Sequence, residues 1–264
     1  MSSIYAFVDG SPFAESVCDH AAWASERLDL PVAPAHALDR PAMAVAVGRG
    51  AGPDGGAESF GRAVLEQAER QLRAAGVETA EPVMREGGFV DALCALAEGA
   101  AVAVIGKRGM TAEKPRPDLG ANLERTARAR RGPLLVAARG FRPIRRALIA
   151  FDGGPSAIKA VDWLIETPLL RGLALTLFTV GPLGLEGAQA RERAAAGLAD
   201  ADHAVWVENA EGEPTEAIER RLHAGDSDIL VMGAYGHSRM RALFLGSTTT
   251  EMLRAAETPV LLFR

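Results

Sequence analysis

An α/β fold in two tandem open-sheet domains is what this sequence predicts, and three observations carry that reading. Ile4-Tyr-Ala-Phe-Val-Asp9-Gly10-Ser-Pro12 recurs as Leu148-Ile-Ala-Phe-Asp152-Gly153-Gly-Pro155, with Asp, Gly and Pro each displaced by 143 positions. Later landmarks repeat at a shorter distance. Val102-Ala-Val-Ile-Gly106-Lys-Arg-Gly109 answers Ile229-Leu-Val-Met-Gly233-Ala-Tyr-Gly236 at an offset of 127, and Gly132-Pro133 answers Thr258-Pro259 at 126. In both copies short runs rich in Val, Ile, Leu and Ala alternate with helical periodicity, which implies parallel sheets covered on both faces. The domains are expected at residues 1–140 and 145–264, joined near Arg139 to Arg145, where Gly140, Pro143 and basic residues cluster.

Taken in order, the first copy predicts strands near 3–9, 31–37, 80–85, 101–106 and 134–138, with helices near 12–28, 57–75, 88–98 and 121–130. Its second helix is preceded by Gly48-Arg-Gly-Ala-Gly-Pro-Asp-Gly-Gly56, a stretch that accounts for the greater length of this copy. Within it Gly50-x-Gly52-x-x-Gly55 matches a dinucleotide-binding fingerprint in letters only. Pro53 and Asp54 suit a surface loop, and no acidic residue ending a second strand follows at the required distance. The second copy predicts strands near 146–152, 173–180, 203–208, 228–233 and 259–263, with helices near 155–166, 186–199, 214–224 and 248–256.

Composition narrows the function. At 264 residues, 48% apolar and 24% charged, the chain is that of a globular protein, and a net charge of -5 gives no general attraction to nucleic acid or anionic lipid. The N-terminus lacks a basic region followed by an apolar one, and no run reaches the roughly 18 apolar residues of a membrane span, so a cytoplasmic location is expected. Cys18 and Cys94 sit in helical patterns without a CxxC or a His partner at metal spacing; buried thiols in a reducing compartment, and no metal site, follow. The excess of Arg over the three lysines, Lys107, Lys114 and Lys159, is assigned no function.

The informative stretch runs from Asp228 to Glu251. An apolar strand, Ile229 to Met232, breaks at Gly233; Gly236 follows, then Gly246 ahead of Ser247, Thr248 and Thr249 and a new helical pattern. Strand, glycine loop and helix N-terminus together suit anion capture. Glycines let main-chain N–H groups approach a ligand, and the first turn of a helix offers unpaired N–H groups and the positive end of its dipole. The alternative is that Ser247 or Thr248 merely caps the helix, since Thr248-x-x-Glu251 is also a capping box.

The spacing Gly-x2-Gly-x9-Gly-Ser resembles the ATP-binding signature of the universal stress protein family, and the resemblance covers both halves, as in tandem members. It implies an adenine nucleotide alpha hydrolase-like fold with five parallel strands per domain in the order 3-2-1-4-5. It also implies ATP, with Mg as a candidate companion, bound in the C-terminal domain of a regulatory, stress-response module. By the resemblance Asp152 lies beside the adenine and Val180 contacts base or ribose. Met232, Gly233, Tyr235 and Gly236 form the ribose and phosphate loop, and Gly246, Ser247, Thr248 and Thr249 cradle the triphosphate. Asp152 has a second reading as a helix N-cap or turn residue, because Asp-Gly-Gly-Pro is turn chemistry by itself. His237, Arg239 and Arg241 are either phosphate contacts or a solvated loop face.

The first copy departs from the pattern. Ten residues separate Gly109 from Gly120, Ala121 replaces the hydroxyl residue, and Pro115 and Pro117 remove two amide donors, so weak or no nucleotide binding is expected there. Lys107 and Arg108 are either compensating anion ligands or solvated. No catalytic set is evident: there is no Walker A lysine and no acidic pair beside the loop, and His20, His36, His203 and His223 are scattered away from it. Two further readings stay open, a nucleotide-free interaction scaffold and an adenylate-forming enzyme, for which Asp152-Gly-Gly-Pro-Ser156 is a loose echo of the required loop. The fifth strands, from Leu134 and from Val260, are apolar edges expected to seek partners. By the resemblance the two halves are expected to pair through them, as in tandem members; an unidentified protein partner and a homodimer are separate expectations.

Overall fold

A computed structural model describes residues 3–40, 56–107, 121–234 and 246–264. The chain divides into two compact units, Met1–Phe141 and Arg142–Arg264. Among the described residues no helix is long and apolar enough to cross a membrane.

In the first unit the strands are β1 Ile4–Phe7, β2 Val32–Leu38, β3 Val83–Glu86, β4 Val102–Gly106 and β5 Leu134–Ala137. All pairings are parallel, and they set the order β3-β2-β1-β4-β5. The helices are α1 Ala14–Leu28, α2 Gly56–Ala74, α3 Phe89–Leu96 and α4 Ala121–Ala129. The strands are mostly apolar because helices cover both faces: Ile4, Val102, Ala103, Val104 and Leu135 are fully buried. Burial of each larger aliphatic side chain is worth about 2 kcal/mol.

Two boundaries differ from expectation for local reasons. Helix α1 starts at Ala14, not near 12, since Asp9 Oδ1 accepts the Ser11 amide at 3.0 Å and the Ser11 hydroxyl oxygen accepts the Phe13 amide at 3.3 Å, which keeps the chain in a turn. Strand β3 starts at Val83, not near 80. Pro82 has no N–H to give the ladder, so pairing near Thr79 survives only as an isolated bridge to Val32.

The second unit repeats the arrangement with β6 Arg146–Ala150, β7 Ala174–Val180, β8 Ala204–Ala210, β9 Ile229–Gly233 and β10 Val260–Phe263. They pair in parallel in the order β8-β7-β6-β9-β10, the same spatial plan as the first unit. The helices are α5 Pro155–Glu166, α6 Leu185–Asp200, α7 Pro214–His223 and α8 Ser247–Ala255. Proline opens both α5 and α7, where its missing N–H costs nothing and its fixed φ suits the first turn. Helix α7 adds a true cap: the Glu213 carboxylate accepts the Glu216 amide at 3.2 Å.

Among the described residues one buried guanidinium is found, and it lies in the first unit. Arg130, 6% exposed at the C-terminal end of α4, donates to the carbonyls of Ala97 at 2.6 Å, Pro133 at 3.0 Å and Ala100 at 3.3 Å. Burial pulls its guanidinium down to about 10. The position 126 residues later is Ala256.

Candidate functional site

Strands β7, β6 and β9 are neighbours, and their register sets Ala150 beside both Phe178 and Met232. Their carboxyl ends therefore bring Asp152, Val180 and Gly233 to one rim of the second unit, where an open α/β sheet binds ligands. The turn after β6 is built by Asp152, whose Oδ1 accepts the Gly154 amide at 2.8 Å, and by Gly153 at φ +74°. Asp152 thus builds the turn, and the helix cap is Gly154.

Gly233 is placed by close contact. A Cβ there would lie 2.8 Å from Ser156 Cβ and 3.1 Å from the Ala157 amide nitrogen, so only a glycine lets the end of β9 meet the first turn of α5. From the other side the Thr249 hydroxyl, buried in the first turn of α8, donates to the Gly233 carbonyl at 3.2 Å. Two helix N-termini, those of α5 and α8, accordingly converge on one residue, and neither carries a side-chain cap.

Helix α8 settles the capping question raised by the sequence. Its N-cap is Gly246, at φ -56° and ψ 146°, and the capping box does not form: Glu251 instead accepts the Thr215 hydroxyl at 2.8 Å. Ser247 is exposed and Thr248 half-buried at the first two helical positions, and neither is the cap of the helix. The Gly246 amide donates to the Ala234 carbonyl at 3.3 Å; among the described residues no carbonyl takes the amides of Ser247, Thr248 and Thr249. Met232 is 5% exposed, which leaves its main chain as the part able to face a ligand. Tyr235, Gly236, His237, Arg239 and Arg241 lie outside the described residues, as do the Gly50 loop and residues 108–120 of the first unit.

Residues the sequence reading passed over also shape the rim. Thr179, 1% exposed on β7, donates its hydroxyl to the Phe151 carbonyl at 3.0 Å and so fixes the peptide entering the Asp152 turn. Its counterpart, 143 positions earlier, is His36, whose Nδ1 stands 2.7 Å from the Val8 carbonyl. A carbonyl only accepts, so Nδ1 is the donor, and Nε2 is buried with no hydrogen-bond partner among the described residues. The repeat offset was the available signal for this pair.

Elsewhere, burial pushes the Cys18 thiol up to about 12, with Asp19 and Glu15 adding to it, which makes it an inert core thiol. Burial also raises Cys94, against a lowering by Arg130. Among the described residues no group of three His, Cys, Asp or Glu side chains is placed to hold a metal.

The model of the universal stress protein family matches residues 143–264. Universal stress protein Slr1230 of Synechocystis sp. is 37% identical over 206 residues, spanning 76% of this chain and 71% of that protein. Among solved structures, a universal stress protein from Archaeoglobus fulgidus superposes with a TM-score of 0.73 at 18% identity, over 99% of this chain and 98% of that one. A functionally unknown Pseudomonas aeruginosa protein superposes at 0.68 and 14% identity, over 100% and 92%. These two likenesses concern the fold.

Proposed function

The chain belongs to the universal stress protein family, and on that premise we propose that its second unit binds ATP, or a related adenine nucleotide, as a cytoplasmic regulatory module. Family membership supports the stress-response role; the adenine nucleotide is our reading of the rim. The observation that carries it is the convergence of two uncapped helix N-termini on Gly233, which is packed too closely against α5 to carry a Cβ. A triphosphate, with Mg where the nucleotide brings it, would supply the negative charge that such a cradle lacks.

The roles divide by chemistry. Ser247 and Thr248 would donate hydroxyl and amide hydrogens to phosphate, and Gly233 and Gly246 would present main chain at close range. Asp152 and Val180, on the neighbouring strand ends, would flank base and ribose, with Tyr235 and Gly236 completing the loop. Nucleotide occupancy would then change the surface offered to a partner, in a single chain or a homodimer. No catalytic residue is proposed.

One observation favours a second reading, a duplicated scaffold without nucleotide: the Gly246 amide is already turned to the Ala234 carbonyl. The test is to release bound molecules from purified protein by heat, identify them by mass spectrometry, and titrate the stripped protein with ATP. About one adenine nucleotide per chain is expected, with affinity reduced in Ser247→Ala/Thr248→Ala. No binding at millimolar ATP would establish the scaffold instead. Gly233→Val is a poor probe, because its side chain would collide with α5 whether or not a ligand binds there.

A further inference from the structure

The large hydrophobic side chains left exposed among the described residues are Leu185, Trp206 and Val207, all in the second unit. Two of them are adjacent on β8, with Trp206 55% and Val207 47% exposed. Strand β8 pairs with β7 through all seven residues in unbroken register, and among the described residues its other edge has no strand beside it. Successive side chains point to opposite faces, so Trp206 and Val207 flank that open edge from above and below.

Edges of this kind are normally blunted, and the first unit shows how. Its edge strand β3 has four residues and ends in exposed Arg85 and Glu86, with Glu86 paired to Arg40 at 2.8 Å. Strand β8 has seven residues, Ala-Val-Trp-Val-Glu-Asn-Ala, with no Pro, Lys or Arg. Its one charge, Glu208, is drawn aside by Arg221 of α7 at 2.9 Å, and Asn209 by Arg191 of α6. What remains at the edge, among the described residues, is main chain with no neighbouring strand, between two apolar side chains.

Charge decides what fits. From Asp200 to Glu213 the chain carries five carboxylates and no Lys or Arg, and Asp200, Asp202, Glu211 and Glu213 are exposed at the two ends of β8. A second copy pairing antiparallel would set the Asp200 and Asp202 end against the Glu211 and Glu213 end twice over, like charge against like. We propose that the β8 edge is a docking site for an extended segment of a partner protein. The segment has about seven residues, carries apolar side chains where it meets Trp206 and Val207, and has basic residues at both ends.

The test uses the full-length chain and a fluorescein-labelled peptide in which valines alternate with threonines between two pairs of lysines, read by fluorescence anisotropy. Saturable binding that weakens as salt rises is expected. It should fall at least tenfold in Trp206→Thr/Val207→Thr, at least tenfold when the peptide's lysines are glutamates, and disappear when its central valine is proline. A second variant, Asp202→Lys/Glu211→Lys, should turn the preference toward the glutamate peptide. Both pairs of positions are surface ones, and unchanged thermal melts confirm that the variants fold. The proposal is overturned if either variant binds both peptides as the parent does. It is also overturned if sedimentation shows a parent dimer that Trp206→Thr/Val207→Thr makes monomeric, since a second copy would then be the occupant.

Discussion

Two turns of the same sequence, Asp9-Gly10 and Asp152-Gly153, are held by different neighbours. Both glycines have φ +74°, and in both the Asp Oδ1 accepts an amide two residues on. Over Gly10 lies the Phe60 ring, 2.7 Å from where a Cβ would stand; over Gly153 lies the Cα of Gly187 at 2.8 Å, helix backbone against turn backbone. Duplication has kept the main-chain solution and let the side chains around it diverge. The divergence has a direction: where the second unit has Thr179, Ser247 and Thr249, the first has His36, Ala121 and Leu123, and where the second has Ala256 the first has Arg130. The first unit has packing residues and an internal clamp at positions where the second has hydroxyls and a small side chain.

The strongest way to break that contrast is to remove the clamp. Arg130→Ala would leave the carbonyls of Ala97, Ala100 and Pro133 without their donor and open a cavity, at a cost of about 4 kcal/mol. Hydrogen exchange read by mass spectrometry should show the loss confined to residues of the first unit. Equal loosening of the second unit would mean that Arg130 is not a device of the first alone.

Next in size is the turn itself. Both glycines are in the left-handed region, so alanine costs about 1 kcal/mol at either. At Gly153 the added methyl also meets backbone that has nowhere to go, whereas at Gly10 it meets the tip of a side chain that can swing. Gly153→Ala is expected to cost about 3 kcal/mol and Gly10→Ala about 1.5 in denaturant melts. Equal costs would show that Phe60 is as immovable as a helix.

A smaller effect sharpens the functional side. Ser247→Ala/Thr248→Ala should weaken ATP binding roughly thirtyfold, about 2 kcal/mol for two lost phosphate donors, with the melting temperature nearly unchanged. Ala121→Ser in the first unit should create no binding, because Leu123 still stands where the Thr249 hydroxyl ties helix to strand. Calorimetric titration of the two variants decides both.

Most of the fold was legible because strand identity is written in composition. Runs such as Val102 to Gly106 and Ile229 to Gly233 are apolar throughout, as buried parallel strands must be, and the repeat offset aligned the two units before any contact was known. The site was legible as far as main chain governs it: Gly233 and Gly246 announce close approach and an uncapped helix. What stayed hidden were partners distant in sequence. That Glu251 binds Thr215 rather than the helix start, that Arg130 reaches the carbonyls of Ala97 and Ala100, and that Phe60 covers Gly10 are all consequences of packing between elements. A single sequence shows the capping box but not the competing hydroxyl that dissolves it.

The finest test of the contrast is acid. Each unit buries a histidine whose pKa lies below the ordinary 6.5, chiefly through burial. His20 in the first is opposed by its bond to the Ser16 carbonyl and by Asp19; His203 in the second is opposed by bonds to the Leu164 and Leu170 carbonyls and by Asp202, and Arg171 lowers it further. The unfolded chain gains a proton as pH falls through about 6.5, while the native histidine gains its proton only lower down. Stability is therefore full above about pH 6.5 and drains away between there and the folded pKa, by at most about 1.4 kcal/mol per pH unit for each group. His20→Gln should flatten the loss between pH 6.5 and 5 in the first unit and leave the second unchanged, and His203→Gln should do the reverse. Hydrogen exchange across that range checks both. A histidine whose replacement leaves its own unit's pH slope intact would be a group that already shares its proton with water in the native state, and the burial that sets it apart here would have no thermodynamic weight.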